Sequence, residues 1–232
     1  LLSTMEGFQE ACIALQKKNT RTAGYFPLEN SNLRGVISIR DILPFIWGNG
    51  GHVLSPDNSR STLHKPETVE ALHGALTMAQ RKFMPLMREK SLVGSLGQGK
   101  ASMALSLRRA AHTGLAGAAP HLKTLPLPAG PAGSQSLISS YNLAIIRESP
   151  NQKTAFALLK WLSRPQVQTR YANMINAFPC STQGFEEFIF SSHEHLRIYA
   201  DILANSRCLP NTTTCGTYAE MLDEMLYNMS VH

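Results

Sequence analysis

The stretch of sequence that decides the fold is residues 125–171, "LPLPAGPAGSQSLISSYNLAIIRESPNQKTAFALLKWLSRPQVQTRY". Its start is rich in proline and glycine, which is typical of a loop. Residues 136–146 predict the best strand of the chain, and their apolar end indicates a buried position. A Ser-Pro-Asn turn at 149–151 then opens a helix over 153–163, in which we expect Trp161 to belong to the core. A strand followed by helices indicates the α/β class.

Helical patterns also occupy much of the chain on either side of this stretch. Residues 5–18 place apolar side chains at helical spacing. Residues 37–47 predict a helix that ends at a glycine loop, and residues 65–84 carry the clearest helix signals, with a proline in the first turn. The other predicted elements are two short strand-like pieces within 52–64, strands at 22–28 and 101–107, and helices at 166–175, 183–190, 192–205 and 215–230. The whole pattern predicts an α/β chain with more helix than strand.

The composition excludes several classes of protein. Of 232 residues, 43% are apolar and 16% are charged, as in globular proteins. No run approaches the roughly 18 apolar residues of a membrane span. The net charge is +6, but the basic residues are scattered singly or in pairs, so we expect no nucleic-acid partner. The start, "LLST", lacks the features of a signal peptide, so the protein is cytoplasmic or the sequence begins after a processed or excised segment.

No motif in the sequence points to catalysis, and the residues alone leave an enzyme open. His193 and His195 are the densest potential metal ligands, but residues at i and i+2 do not share a helix face, so we expect no metal site. Cys208 and Cys215 flank a loop that could bring their sulfurs together. A disulfide between them and two free buried thiols are both open.

The segment "LPFIWGNGGHV", residues 43–53, places Trp47 where a helix must end in a glycine loop. One interpretation is packing, with the glycines acting only as the end of the helix. The other is a ligand surface, on which the ring is a platform and the glycines let a solute come close. The residues alone leave both open.

The order of the segments resembles that of the family 1 extracellular solute-binding proteins, the sugar-type, maltose-binding-protein-like binding components of ABC importers. Each motif is weak by itself, and the ordered set is more specific because it covers nearly the whole chain. The similar segments are "MEGFQEACIALQKK" at 5–18, "LPFIWGNGGHVL" at 43–54, "KPETVEALHGAL" at 65–76, "GQGKASMAL" at 97–105 and the stretch at 125–171.

This resemblance implies an α/β, type II periplasmic-binding-protein-like lobe with a helical C-terminal region. The N-terminal lobe is expected to be incomplete, because the sequence begins where the first lobe of the family ends. Residues 1–136 would be the α/β portion of the C-terminal lobe. Residues 137–175 would be the returning segment of the N-terminal lobe, and residues 176–232 a helical region packed on the C-terminal lobe.

The resemblance also implies a function, that of a binding protein that is not an enzyme and needs no cofactor. A small polar solute, a carbohydrate by preference, would bind in the cleft between the lobes for delivery to an ABC-type permease. The protein would be periplasmic or extracellular, and membrane-associated if it is a lipoprotein. The alternative is a sensory or protein-interaction domain on the same fold.

Six residues are candidate solute contacts under this resemblance. Tyr141 matches a position where the family has a ligand-facing aromatic ring, and Asn142 follows it. Arg108 stands where the family has an aromatic platform, and its guanidinium could pair with an anionic group. The other three are Trp47, Glu29 and Asn32. The alternatives are core packing for Trp47, edge-strand packing for Tyr141 and surface exposure for Arg108. For Glu29 and Asn32 the alternative is plain loop polarity.

Overall fold

A computed structural model describes residues 2–18, 38–81, 96, 102–103, 123–175, 177–191, 197–213 and 215–231. The strand predicted at 22–28 lies outside the described residues, and so does the strand predicted at 101–107 except for residues 102–103. Residues 192–196, which include both candidate metal-binding histidines, lie outside them as well.

The described part of the chain is mostly helical. The helices and strands, in chain order, are α1 (Met5–Lys18), α2 (Ile39–Gly48), α3 (Pro66–Gln80), β1 (Ser136–Leu137), α4 (Gln152–Leu162), α5 (Pro165–Met174), α6 (Thr182–Ser191), α7 (Ile198–Ala204), β2 (Ser206–Arg207) and α8 (Cys215–Val231). The helices predicted at 5–18, 153–163, 183–190 and 215–230 are confirmed to within one residue at each end.

The helix α2 lies at the centre of the core. It packs against α3, α8 and β1, and most of its residues are buried, which is why its sequence is apolar on nearly every side. It ends at the glycine loop, as the sequence predicts, and Pro44 lies inside the helix without ending it. The other buried side chains of this core are Phe8, Cys12, Val53, Leu72, Met78, Leu222 and Leu226.

The strand predicted over 136–146 is correct only for its first two residues. β1 pairs in parallel with β2, in the register Ser136 to Ser206 and Leu137 to Arg207. Beyond β1 the backbone has no strand partner among the described residues, and Leu143 and Ile146 are exposed. The prediction of a buried strand here is therefore wrong for this structure, because a strand needs a neighbour to bond its backbone groups.

A second, smaller group of contacts joins α5, α6 and α7. The ring of Phe178 packs edge-on against Phe185, with centroids 5.8 Å apart, and lies 5.0 Å from the ring of Tyr199. The hydroxyl of Thr169 on α5 donates to the carbonyl of Gly184 on α6 at 3.1 Å. These contacts hold α5, α6 and α7 together through side chains that are not part of the main core.

Two expectations about side chains are corrected by this packing. Trp161 is 48% exposed and does not belong to the core, because α4 contributes no buried residue. Cys208 is a free, exposed thiol, so the disulfide with Cys215 is not formed, and a buried position for Cys208 is wrong as well.

Candidate functional site

The structure describes three of the six candidate solute contacts. Trp47, Tyr141 and Asn142 lie within the described residues, whereas Glu29, Asn32 and Arg108 lie outside them. The three described residues have different surroundings, so each is considered in turn.

The indole ring of Trp47 is part of the hydrophobic core, and only 4% of the residue is exposed. The helix α2 brings it there because most residues of this helix are buried against α3, α8 and β1. The guanidinium carbon of Arg207 stands 6.0 Å from the ring centroid, at the distance of a cation–π contact. The ring therefore packs in the core of the described chain, and its contact with a solute stays a prediction.

The glycines after Trp47 also serve packing. The carbonyl of Gly48 accepts the N–H of Ala132 at 2.8 Å. A Cβ atom at Gly130 would lie 2.5 Å from that same carbonyl oxygen, so only glycine lets the two backbones meet. A Cβ at Gly51 would lie 2.7 Å from the hydroxyl of Thr68. The close approach that these glycines permit is therefore one between two parts of this chain.

Asn49 fixes the end of α2 against the start of α3. Its amide group donates to the carbonyl of Glu67 at 2.7 Å and to the carboxylate of Glu70 at 3.3 Å. The backbone N–H of Asn49 also closes the last turn by donating to Phe45 at 3.0 Å. This side chain therefore joins the end of α2, next to Trp47, to the first turns of α3.

Tyr141 and Asn142 have the opposite surroundings from Trp47. Tyr141 is 96% exposed and Asn142 is also exposed. Both belong to the segment that leaves the sheet after β1. Their phenol and amide groups are free to meet a solute, which is the property that a binding residue needs.

Arg207 is a residue that the sequence did not single out. It lies on β2, and its carbonyl accepts the N–H of Ile138 at 2.9 Å. Because Ile138 is three residues before Tyr141, the α-carbons of Ile138 and Tyr141 are no more than about 11 Å apart. No described residue forms an ion pair with the exposed Arg207. No local sequence signal marks this residue, because its pairing with β1 and its contact with Trp47 join distant parts of the chain.

Arg207, Tyr141 and Asn142 are exposed residues on or near the β1–β2 pair, and the Trp47 ring lies 6.0 Å from the guanidinium of Arg207. A guanidinium, a phenol and an amide donate and accept hydrogen bonds, and the aromatic ring can stack on an apolar face of a sugar. Elsewhere in the described part of the chain, Cys12 and Asp57 have shifted pKa values. Burial raises the pKa of the Cys12 thiol to about 11, and hydrogen bonds from Ser55 and Ser59 lower the pKa of Asp57 to about 2.

No set of three or more His, Cys, Asp or Glu side chains that could hold a metal ion occurs within the described residues. Among these same residues, no helix has the length and apolar character that crossing a membrane requires.

Comparison with protein families gives a match over residues 40–169, to the family described as bacterial extracellular solute-binding protein. The matched residues include α2, α3, β1, Tyr141 and Asn142, and they make up more than half of the chain. No curated protein matches this chain.

Solved structures with the same fold come from several bacteria. The sugar-binding protein MalE of Xanthomonas citri superposes with a TM-score of 0.82 at 17% identity, over 99% of this chain and 58% of its own. The GacH receptor of Streptomyces glaucescens, solved unliganded and with acarbose, gives 0.79 at 19% identity, over 100% and 59%. An ABC transporter solute-binding protein of Thermotoga lettingae, solved with α-D-tagatose, gives 0.77 at 15% identity, over 99% and 59%.

These superpositions show the fold of the chain, which is that of the type II periplasmic binding proteins. The present chain spans less than two thirds of the length of each of these structures.

Proposed function

Because this chain belongs to the bacterial extracellular solute-binding protein family, we propose that it takes part in reversible binding of a small polar solute, preferably a carbohydrate, for delivery to an ABC-type permease. The family match over residues 40–169 is the observation that carries this proposal. The family consists of binding proteins, so the proposed role is capture and release without chemical change of the solute.

The structurally similar proteins support the class of solute. One is described as sugar-binding, one was solved with acarbose and one with α-D-tagatose. These molecules differ in size, but all present hydroxyl groups around an apolar ring face. Such a surface is recognised by hydrogen-bonding side chains together with an aromatic ring.

Within this proposal, Tyr141 stacks on the solute, and Asn142 and Arg207 donate hydrogen bonds to its hydroxyl groups. Trp47 supports Arg207 from behind, through the 6.0 Å contact between guanidinium and ring. A supporting role fits the burial of Trp47 better than direct contact does. Arg108, Glu29 and Asn32 remain proposed contacts on the basis of the sequence resemblance alone.

The proposed mechanism is closure of two lobes around the solute. A solute that touches both lobes binds the closed state better than the open one and therefore shifts the population toward closure. The proposed boundaries are residues 1–136 and 176–232 for the C-terminal lobe and residues 137–175 for the segment that returns to the N-terminal lobe. The proposed location is the periplasm or the cell exterior.

The experiment is a calorimetric titration of the protein, expressed from its own gene, with D-tagatose, maltose and acarbose. We expect saturable binding of at least one sugar. The test variant is Tyr141→Ala. Its matched control is Tyr171→Ala, because Tyr171 is also an exposed tyrosine but is not a proposed solute contact. Loss of affinity in the first variant alone supports the assignment. A folded protein that binds none of the sugars favours the alternative, a sensory or protein-interaction domain.

A further inference from the structure

Three methionines follow one another along the C-terminal helix α8. Met221, Met225 and Met229 are spaced by four residues within Cys215–Val231. Side chains four residues apart on a helix are neighbours, with about 5–6 Å between their Cβ atoms. The three thioether side chains therefore form one row along the helix, which we call the methionine row.

The exposure of the methionine row distinguishes it from ordinary core packing. The buried face of α8 is formed by Leu222 and Leu226, whereas Met221 is 63% and Met229 is 39% exposed. Met225, between these two methionines, is half-buried and packs against the core. The row thus runs along the border between the buried face of the helix and solvent. Both of its ends are accessible to a dissolved ion.

The helix that carries this row is fixed in its rotation. The carboxylate of Asp223 accepts the N–H of Ile39 at 2.6 Å, and the hydroxyl of Tyr218 donates to the carbonyl of Val53 at 2.9 Å. These bonds tie one side of α8 to the rest of the fold. The methionine row is therefore presented by a rigid element, which is the arrangement that a binding site requires.

The charge of α8 favours a cation next to the row. Its seventeen residues include Glu220, Asp223 and Glu224 and contain no lysine, arginine or histidine, although the whole chain has a net charge of +6. Such a local excess of negative charge raises the concentration of cations nearby. The carbonyl groups at the end of the helix, where Met229 lies, add a partial negative charge.

The chemistry of the thioether selects the kind of cation. Its sulfur atom is soft and polarisable, and soft sulfur ligands select Cu(I) over hard cations such as Mg²⁺ and Ca²⁺. The methionine side chain has three rotatable bonds, so that the sulfur atoms of neighbouring methionines can turn toward the same ion. The row contains two such neighbouring pairs, and Met225 belongs to both.

We propose that Met221, Met225 and Met229 form a binding site for Cu(I), which is held by thioether sulfur atoms. Met225 is the ligand common to both pairs, and the acidic side chains of α8 attract the ion without ligating it. The site differs in ligand chemistry from one built on His193 and His195. It is also independent of whether the protein binds a sugar.

The first test is a titration with silver(I), followed by NMR of the protein labelled with ¹³C at its methionine methyl groups. Silver(I) has the charge and the ligand preference of Cu(I) and does not oxidise in air. Cys180 and Cys208 have exposed thiols that would compete for the ion, so the protein is first alkylated with iodoacetamide.

We expect the methyl signals of the methionine row to shift together and to reach saturation at one equivalent of silver(I). The internal control is Met174 on α5, which is 76% exposed and has no place in the row. Its signal should stay unchanged over the same range. Equal shifts of Met174 and the row would mean that any exposed thioether binds silver(I), and this result would overturn the proposal. The absence of shifts in the row would overturn it as well.

A double variant tests the need for more than one sulfur atom. Met221→Leu with Met229→Leu leaves a single thioether, so we expect the affinity for silver(I) to fall at least about tenfold, because the high effective concentration of a second ligand is lost. Both residues are exposed, and an unchanged circular dichroism spectrum verifies the fold. Met174→Leu is the matched control and should retain the full affinity. Equal affinities of the double variant and the unaltered protein would overturn the proposal.

Competition with a chromogenic Cu(I) chelator, under anaerobic and reducing conditions, tests the identity of the ion. We expect the alkylated protein to withdraw one equivalent of Cu(I) from the chelator and the double variant to withdraw less. A protein that binds silver(I) but takes no Cu(I) from a chelator of similar affinity would contradict Cu(I) as the occupant.

Discussion

The carboxylate of Asp223 on α8 accepts the backbone N–H of Ile39, the first residue of α2, at 2.6 Å. This hydrogen bond joins the C-terminal helix to the start of the central helix, 184 residues earlier in the chain. A negative charge at this end of a helix is favourable, because the first amides have no partner within the helix. The C-terminal helix is thus part of the structure that places Trp47 in the core.

We expect Asp223→Ala to lower the free energy of unfolding by about 1 to 2 kcal/mol, the range typical of a lost helix cap. Urea unfolding followed by circular dichroism measures the change. Glu220→Ala, on the same helix but exposed, is the control and should change stability by less than about 0.5 kcal/mol. Equal effects of the two variants would contradict a capping role for Asp223.

Gly130→Ala should destabilise the protein by about 2 kcal/mol or more, because its new Cβ would lie 2.5 Å from the carbonyl oxygen of Gly48. Gly74→Ala is the matched control. Nothing lies within 4 Å of a Cβ there, and α3 should gain about 0.5 to 1 kcal/mol from the better helix former. Opposite signs in denaturant unfolding are the expected result. If neither variant lowered the free energy of unfolding, the fold would not require the close contact between the backbones of Gly130 and Gly48.

The ionisation of Asp57 should stabilise its turn above about pH 4. Hydrogen bonds from Ser55 and Ser59 lower its pKa to about 2, below the value of 3.8 for an unperturbed carboxyl. Because the folded pKa is the lower one, this stabilisation is present above pH 3.8 and is lost as the pH falls through about 2. Carboxyl NMR titration should give the low pKa in the native protein and an ordinary one in a Ser55→Ala, Ser59→Ala variant. An ordinary pKa in both would contradict these hydrogen bonds.

The thiol of Cys12 should be inert in the folded protein. It is buried, and burial raises its pKa to about 11, so almost none of the reactive thiolate is present at pH 8. Cys180 and Cys208 are exposed and should react rapidly with a disulfide reagent such as Ellman's. Mass mapping after brief labelling checks this result. Labelling of Cys12 as fast as of Cys208 would mean that the core around α2 opens readily.

The parts of this fold that the sequence predicts well are those governed by local chemistry. The helix α3 begins at Pro66 and α2 ends at its glycine loop, as expected, because periodicity and end signals lie within a few residues of each other. The strand over 136–146 could not be predicted with the same success. A strand depends on a neighbour that is distant in sequence, and here the only described neighbour is β2.

The residues of the candidate site also differ in whether local sequence or distant neighbours determine their surroundings. The exposure of Tyr141 agrees with the family resemblance that singled it out, although its contact with solute is still a prediction. Trp47 could not be assigned from its helix, because the neighbours that bury it come from α3, α8 and β1. Arg207 was missed because its contact with Trp47 spans most of the chain.

The measurement that tests the central claim most directly is the affinity of the native protein for sugars, compared with that of Tyr141→Ala. We expect at least one of D-tagatose, maltose and acarbose to bind. Loss of the stacking ring should cost about 1 to 3 kcal/mol, which is a loss of affinity of about tenfold to a hundredfold, with an unchanged circular dichroism spectrum. Unchanged affinity in the variant would remove Tyr141 from the site. A folded native protein that binds none of these sugars would contradict carbohydrate binding itself.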